Sequence, residues 1–236
     1  MNVEAYRPIS VYVICEGQTE QLFVGNVLAP AFADRCIFLN PCRLGAGGDV
    51  KFDKFCSNVR NFLKQQNTTY VTPFIDFYGV NGAWPDLEKA KRQNFAEAKF
   101  ETFCSAMVAA LKETLKAEFS PQCIETRFIP YVSMHEFEAL LFSDYQILAD
   151  YFGGKSNDIA RILKKNYASP EEINDSVNTA PSKRVDKISQ ELRNRNFQKT
   201  HDGLTLAQLI TLETMRTSCP LFNRWLEKLE SLTPLS

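Results

Sequence analysis

Val11-Tyr12-Val13-Ile14-Cys15-Glu16-Gly17-Gln18-Thr19-Glu20 is the stretch on which the reading of this chain turns. Its apolar and β-branched residues have the run of a buried strand, Gly17 permits a sharp turn after it, and Thr19 is placed to cap a helix that starts at Glu20. Two acids therefore sit on a strand-to-helix switch. In open α/β sheets ligands bind at the carboxyl ends of strands, which places Glu16 for chemistry. Glu20 lies about one turn into the helix, and helical side chains lean toward the N-terminus, so the two carboxylates are expected to converge. The plainer alternative is a solvated strand end followed by a helix-dipole residue.

Composition bounds the rest. The 236 residues suit one large domain or a core with an appendage, and 44% apolar content with 18 Phe argues for a packed interior rather than disorder. Seven cysteines, an odd number with no pair at C-x-x-C spacing, read as reduced, mostly buried thiols and argue against a zinc ribbon. No stretch has the length of a membrane span and the start lacks the regions of a signal peptide, so the expected location is the cytoplasm. Net charge is −1, so any polyanion site has to be local.

Working outward, Glu20 to Ala33 carries one apolar helical face, with Pro30 expected to kink or end it. A second strand is expected at Cys36 to Leu39, ended by Pro41. The glycine-rich run Leu44 to Asp49 lacks a P-loop ending and reads as a mobile loop near the site. Val50 to Lys64 is a second amphipathic helix. Tyr70-Val71-Thr72-Pro73-Phe74-Ile75-Asp76-Phe77-Tyr78-Gly79 then repeats the opening pattern, an apolar strand whose end carries an acid and then glycine. Residues 81–85 form an irregular connection, and Asp86 to Lys116 can hold a long helix, interrupted or not.

A fourth strand, Thr126 to Val132, runs into Met134-His135-Glu136-Phe137-Glu138, where three titratable residues crowd one junction. Strand and helix alternate as in a doubly wound, mainly parallel four-stranded sheet, which brings the carboxyl ends of the strands to one edge. Acids gathered there repel and raise one another's pKa, and a hard divalent cation relieves that repulsion.

These junctions resemble the Toprim core of topoisomerases, primases and overcoming-lysogenization-defect nucleases. The whole chain resembles the bacterial family of domain of unknown function 4276, on five blocks: Glu16-Gly17-Gln18-Thr19-Glu20, Asp76-Phe77-Tyr78-Gly79, His135 to Asp144, Pro170 to Asp175, and Ala180-Pro181-Ser182-Lys183-Arg184. The resemblance implies a metal-dependent nuclease, found in defence loci beside an ATPase partner. One departure stands out. The Toprim pattern has Asp-x-Asp, whereas this chain has Asp76-Phe77-Tyr78, and a phenol does not replace a carboxylate as a hard-cation ligand at neutral pH.

Residues 1–144 are thus expected to form a Toprim-like core and 145–236 a helical appendage packed on it. The one distinctly basic stretch is Pro181 to Thr200, with Lys183, Arg184, Lys187, Arg193, Arg195 and Lys199 against Asp186 and Glu191. A solvated helix face is the ordinary meaning of such a run. The functional reading folds it over the acidic edge to hold phosphate, with Lys183 stabilising developing charge. Asn166 to Asp175 reads as a capped turn. The site is then Glu16, Asp76, His135, Glu138 and Lys183 for catalysis, and Glu16, Glu20, Asp76 and Glu136 for Mg²⁺ or Mn²⁺. Lys183, Arg184, Lys199 and His201 take the substrate phosphate. The substrate is DNA or RNA, homo-oligomerisation stays open, and the competing reading is a non-catalytic module that binds an ATPase.

Overall fold

β1 (Ile9–Cys15) lies between β2 (Ile37–Arg43) and β3 (Thr69–Phe74), and all three run parallel in the order β2-β1-β3. A central parallel strand is covered on both faces, hence its near-continuous apolar run. Even half-buried Tyr12 is covered, by the Phe62 ring at 4.3 Å. The computed structural model describes residues 7–45, 50–80, 82–163, 167–173 and 179–235. Residues 46–49 of the glycine-rich loop, residue 81, residues 164–166 and residues 174–178 lie outside it.

β2 runs through Pro41, which pairs in register with Val13. As an edge strand it tolerates a residue that cannot donate to the ladder on its open side. Residues 18–33 form one continuous helical stretch, with a π turn at Val24–Leu28 immediately before Pro30. The π turn widens the helix where proline lacks an N–H, so the helix passes the residue expected to stop it.

The fourth strand is a correction. Thr126 and Arg127 belong to the helix Pro121–Arg127, and the following segment makes only single parallel bridges, Phe128 to Val71 and Ser133 to Asp76. Two physical causes combine. Pro130 removes a ladder donor, and the Arg127 guanidinium is drawn to the Leu63 and Gln66 carbonyls that end the helix Phe52–Gln65 and to Thr69 O. The architecture is therefore α/β with a three-stranded parallel sheet flanked by helices. The segment still returns the chain to the β3 edge, so His135, Glu136 and Glu138 arrive beside Asp76.

The helical stretch expected over 86–116 is interrupted, as Leu87–Lys91 and Ala96–Leu115. The C-terminal region is helical, and Thr211 at φ 72° divides Leu204–Ile210 from Leu212–Ser218. Its last helix, Pro220–Glu230, enters the core. Trp225 stacks on Tyr131 at 4.3 Å and donates to Thr72 Oγ1 at 2.9 Å, and Phe222 approaches Phe23. Among the described residues no helix is long and apolar enough to cross a membrane.

Candidate active site

The helix after β1 starts at Gln18 with Gly17 as its N-cap, so buried Thr19 does not fill that position. A glycine cap has no side chain to offer the first-turn N–H groups, and only the reverse half of a capping box is made: Glu20 Oε2 takes the Gly17 N–H at 2.8 Å. Glu16 turns across to β3, where its Oε2 accepts the Asp76 N–H at 3.2 Å. That approach requires glycine at position 79, because a Cβ there would stand 2.0 Å from the same oxygen. A Cβ on Gly17 would likewise stand 2.8 Å from Glu20 Oε2, so the glycine of each junction leaves room for a carboxylate.

Asp76 lies two residues beyond β3, and its Oδ1 accepts the Phe137 N–H at 2.8 Å. This bond ties the second acidic junction to the third. Glu138 is 1% exposed; its Oε1 meets Lys199 Nζ at 2.8 Å, and its Oε2 is buried with no partner. Glu136 points the other way, accepting Ser182 N–H at 2.7 Å and Ser182 Oγ at 3.0 Å. It is thereby the acceptor for the start of the helix Pro181–Arg193, whose own N-cap, Ala180, has none.

Electrostatics follow from this crowding. Burial pushes the Glu16 carboxyl up to about 7; the Asp76 N–H and Lys199 oppose the rise, while Glu20 and Glu136 add to it. Asp76 is raised well above the carboxylate range by burial first, then by Glu20, Glu16, Glu138 and Glu136. Burial also raises Glu138, against the pull of Lys199. Lys199 is itself raised: burial opposes its charge, and Glu138, Asp76 and Glu136 outweigh that. Among the described residues Lys199 is the cation in contact with this cluster.

The model of the family described as domain of unknown function (DUF4276) matches residues 15–230. The chain belongs to the DUF4276 family. No curated protein and no solved structure matches it. The matched span of this DUF4276 chain begins at Cys15, immediately before Glu16, and takes in all three acidic junctions and the helix that follows Ser182.

Several residues expected at the site lie elsewhere. Lys183 is exposed on the helix Pro181–Arg193, one residue beyond the Ser182 groups that hold Glu136. Arg184 is buried and donates to Thr179 O, Leu163 O and Tyr167 Oη, which makes it a structural clamp rather than an open phosphate contact. His201 is largely exposed, with Nδ1 3.3 Å from Asp202 Oδ1. His135 is buried at φ 69°, and its imidazole pKa is lowered to about 3 by burial and by Lys99, opposed by a bond to the Glu171 backbone. Its ring faces Tyr78 at 5.2 Å, turned from the acids toward Glu171. Missed in the sequence were Ser182 as the Glu136 partner and the network that carries Lys199.

The donor chemistry suits a hard divalent ion. Glu16, Glu20 and Asp76 each spend one oxygen on a backbone N–H and keep the other, and Glu138 Oε2 is a buried oxygen without a donor. The acids stand as neighbours at the sheet edge, and among the described residues no three His, Cys, Asp or Glu side chains are drawn together as a ready ligand set.

Proposed function

We propose that this chain is a divalent-metal-dependent phosphodiesterase of Toprim type that hydrolyses DNA or RNA in the cytoplasm. The observation that carries the reading is the crowding of carboxyl groups at the sheet edge: Glu16, Glu20 and Asp76 each keep one oxygen clear of the backbone N–H that holds the other, Glu138 Oε2 is buried without a donor, and among the described residues Lys199 is the cation in contact with them. Glu16, Asp76 and Glu20 would hold a Mg²⁺ or Mn²⁺ ion, which would supply Lewis acidity toward the phosphate and a bound water of lowered pKa. Glu136 is committed to Ser182, so it enters that set only by leaving the helix.

The chain's own groups have distinct tasks in this reading. Backbone N–H groups of Gly17, Asp76 and Phe137 hold three carboxylates in fixed directions before substrate arrives. Glu138 anchors Lys199, and the half-exposed ammonium keeps further donors for a phosphate oxygen, where it stabilises developing charge. Lys199 thus takes the role that Lys183 had in the sequence reading. The resemblance to overcoming-lysogenization-defect nucleases adds an anti-phage setting with an ATPase beside the protein.

A second reading is favoured by position 78. Tyr78 stands where a Toprim site has its second aspartate, its N–H is bonded to His135 O, and its ring is packed on His135. On this reading the chain is a non-catalytic subunit that docks an ATPase. Incubation with Mn²⁺ or Mg²⁺ and a panel of plasmid, single-stranded DNA and structured RNA separates the two. Cleavage lost in Glu16→Ala is the outcome of the nuclease reading; a parent as silent as the variant gives the second.

A further inference from the structure

Lys199 opens a short π turn, Lys199–Gly203, and its own bond to Glu138 does not explain why the whole turn faces the acids. The explanation lies in Asp202, the fourth residue of the turn and 1% exposed. Its two oxygens take both terminal nitrogens of Arg195, at 2.6 and 2.9 Å, together with Tyr151 Oη at 2.7 Å and the Gln198 N–H at 2.8 Å. His201 Nδ1 stands 3.3 Å away. A carboxylate with this many charge-assisted and phenolic donors is locked, and its pKa is lowered accordingly, by Arg195 before Gln198 and Tyr151 and against the cost of burial.

The lock faces the site on its other side. A Cβ on Gly203 would stand 3.4 Å from the Phe137 ring and 3.9 Å from Thr19 Cγ2, so the turn sits in contact range of the residues next to Glu136, Glu138 and Glu20. The loop before it is held to the helix Pro181–Arg193 by Phe197 N–H on Asp186 and by Ser189 Oγ on Arg195 O. That is the helix whose start is pinned to Glu136.

We propose that Asp202, clamped by Arg195 and Tyr151, is the positioning residue that presents Lys199 to the acidic cluster. The proposal rests on the nuclease reading for its catalytic meaning, although the positioning itself is measurable without cleavage. A lysine whose ammonium is bonded to a buried carboxylate, as Lys199 is to Glu138, holds its nitrogen lone pair as a bonded N–H and is shielded from acylating reagents. Lys183, exposed on the same protein, is the internal reference.

The experiment is pulse acetylation of the full chain with isotope-labelled acetic anhydride, read at Lys199 and Lys183 by mass spectrometry. In the parent Lys199 lags Lys183 by about tenfold or more. Asp202→Asn and, independently, Arg195→Met bring the two to similar rates. Arg216→Met, which breaks the remote pair with Glu230, lowers the melting temperature without touching Lys199, so loosening of the fold alone does not imitate the effect. Lys199 still protected in both Asp202→Asn and Arg195→Met overturns the proposal, and so does equal exposure in Arg216→Met. In the cleavage assay Asp202→Asn lowers kcat with KM little changed, and adding it to Lys199→Met costs nothing more. Release of Lys199 with no cleavage by any form leaves the positioning standing and removes the nuclease reading instead.

Discussion

Glu138 and Lys199 meet at 2.8 Å, a carboxylate sealed from solvent joined to an ammonium half open to it. The asymmetry matters. Removing the lysine leaves a buried charge, whereas removing the carboxylate leaves a lysine free to hydrate. Breaking a buried pair from the exposed side costs up to about 3–5 kcal/mol, less where the stranded acid takes up a proton. Lys199→Met is therefore expected to lose more stability at pH 8 than at pH 5, measured by denaturant unfolding, and an equal loss at both would contradict the account of Glu138.

Glu16 and Glu171 are both pushed up to about 7, mainly by burial. A carboxyl whose pKa is higher folded than unfolded binds its proton more tightly in the native state, so its contribution is present below about pH 4.3 and is lost as pH rises through 7. Melting temperature in chelator is expected to fall between pH 5 and pH 7.5. Glu16→Gln and Glu171→Gln should each flatten that slope, because each removes one titrating group.

At position 79 a Cβ would overlap the Glu16 carboxylate, so an alanine is admitted only if that side chain swings off the Asp76 N–H. Gly79→Ala is expected to cost about 1–3 kcal/mol of stability. In the cleavage assay it should resemble Glu16→Ala, whereas Lys183→Ala, on the exposed helix face, should stay near the parent.

Glu136 carries a different expectation from its neighbours. As the acceptor for the Ser182 N–H, its replacement by Ala should cost about 1 kcal/mol, the usual loss for a helix cap. Ser182→Ala removes only the hydroxyl bond and should cost less. Equal losses would show that the backbone bond is not the one that counts.

Much of this site was legible because each acidic junction has a local cause. Glu16 and Asp76 stand at the ends of apolar runs and precede glycines; Gly17 makes room for Glu20 within its own junction, whereas Gly79 makes room for Glu16 from across the fold. The fourth strand was not legible. The apolar run from Phe128 to Val132 resembles a strand, but Pro130 and the pull of Arg127 toward the end of the helix Phe52–Gln65 act across the fold. Lys199 was indistinguishable from Lys183 within one basic run. What separates them is Asp202 and its bond to Tyr151, a partner 51 residues away. Thr211 at φ 72° is a further break with no marker, since threonine rarely adopts that backbone conformation.

Calorimetric titration of the full chain with Mn²⁺ decides whether the acids at the sheet edge form one divalent-cation site, as proposed. Saturable binding is expected in the parent, abolished by Asp76→Asn and by Glu16→Ala and retained in Glu171→Gln, at a buried acid outside the cluster. Absence of binding in the parent, or binding that survives both site substitutions, would contradict the proposal.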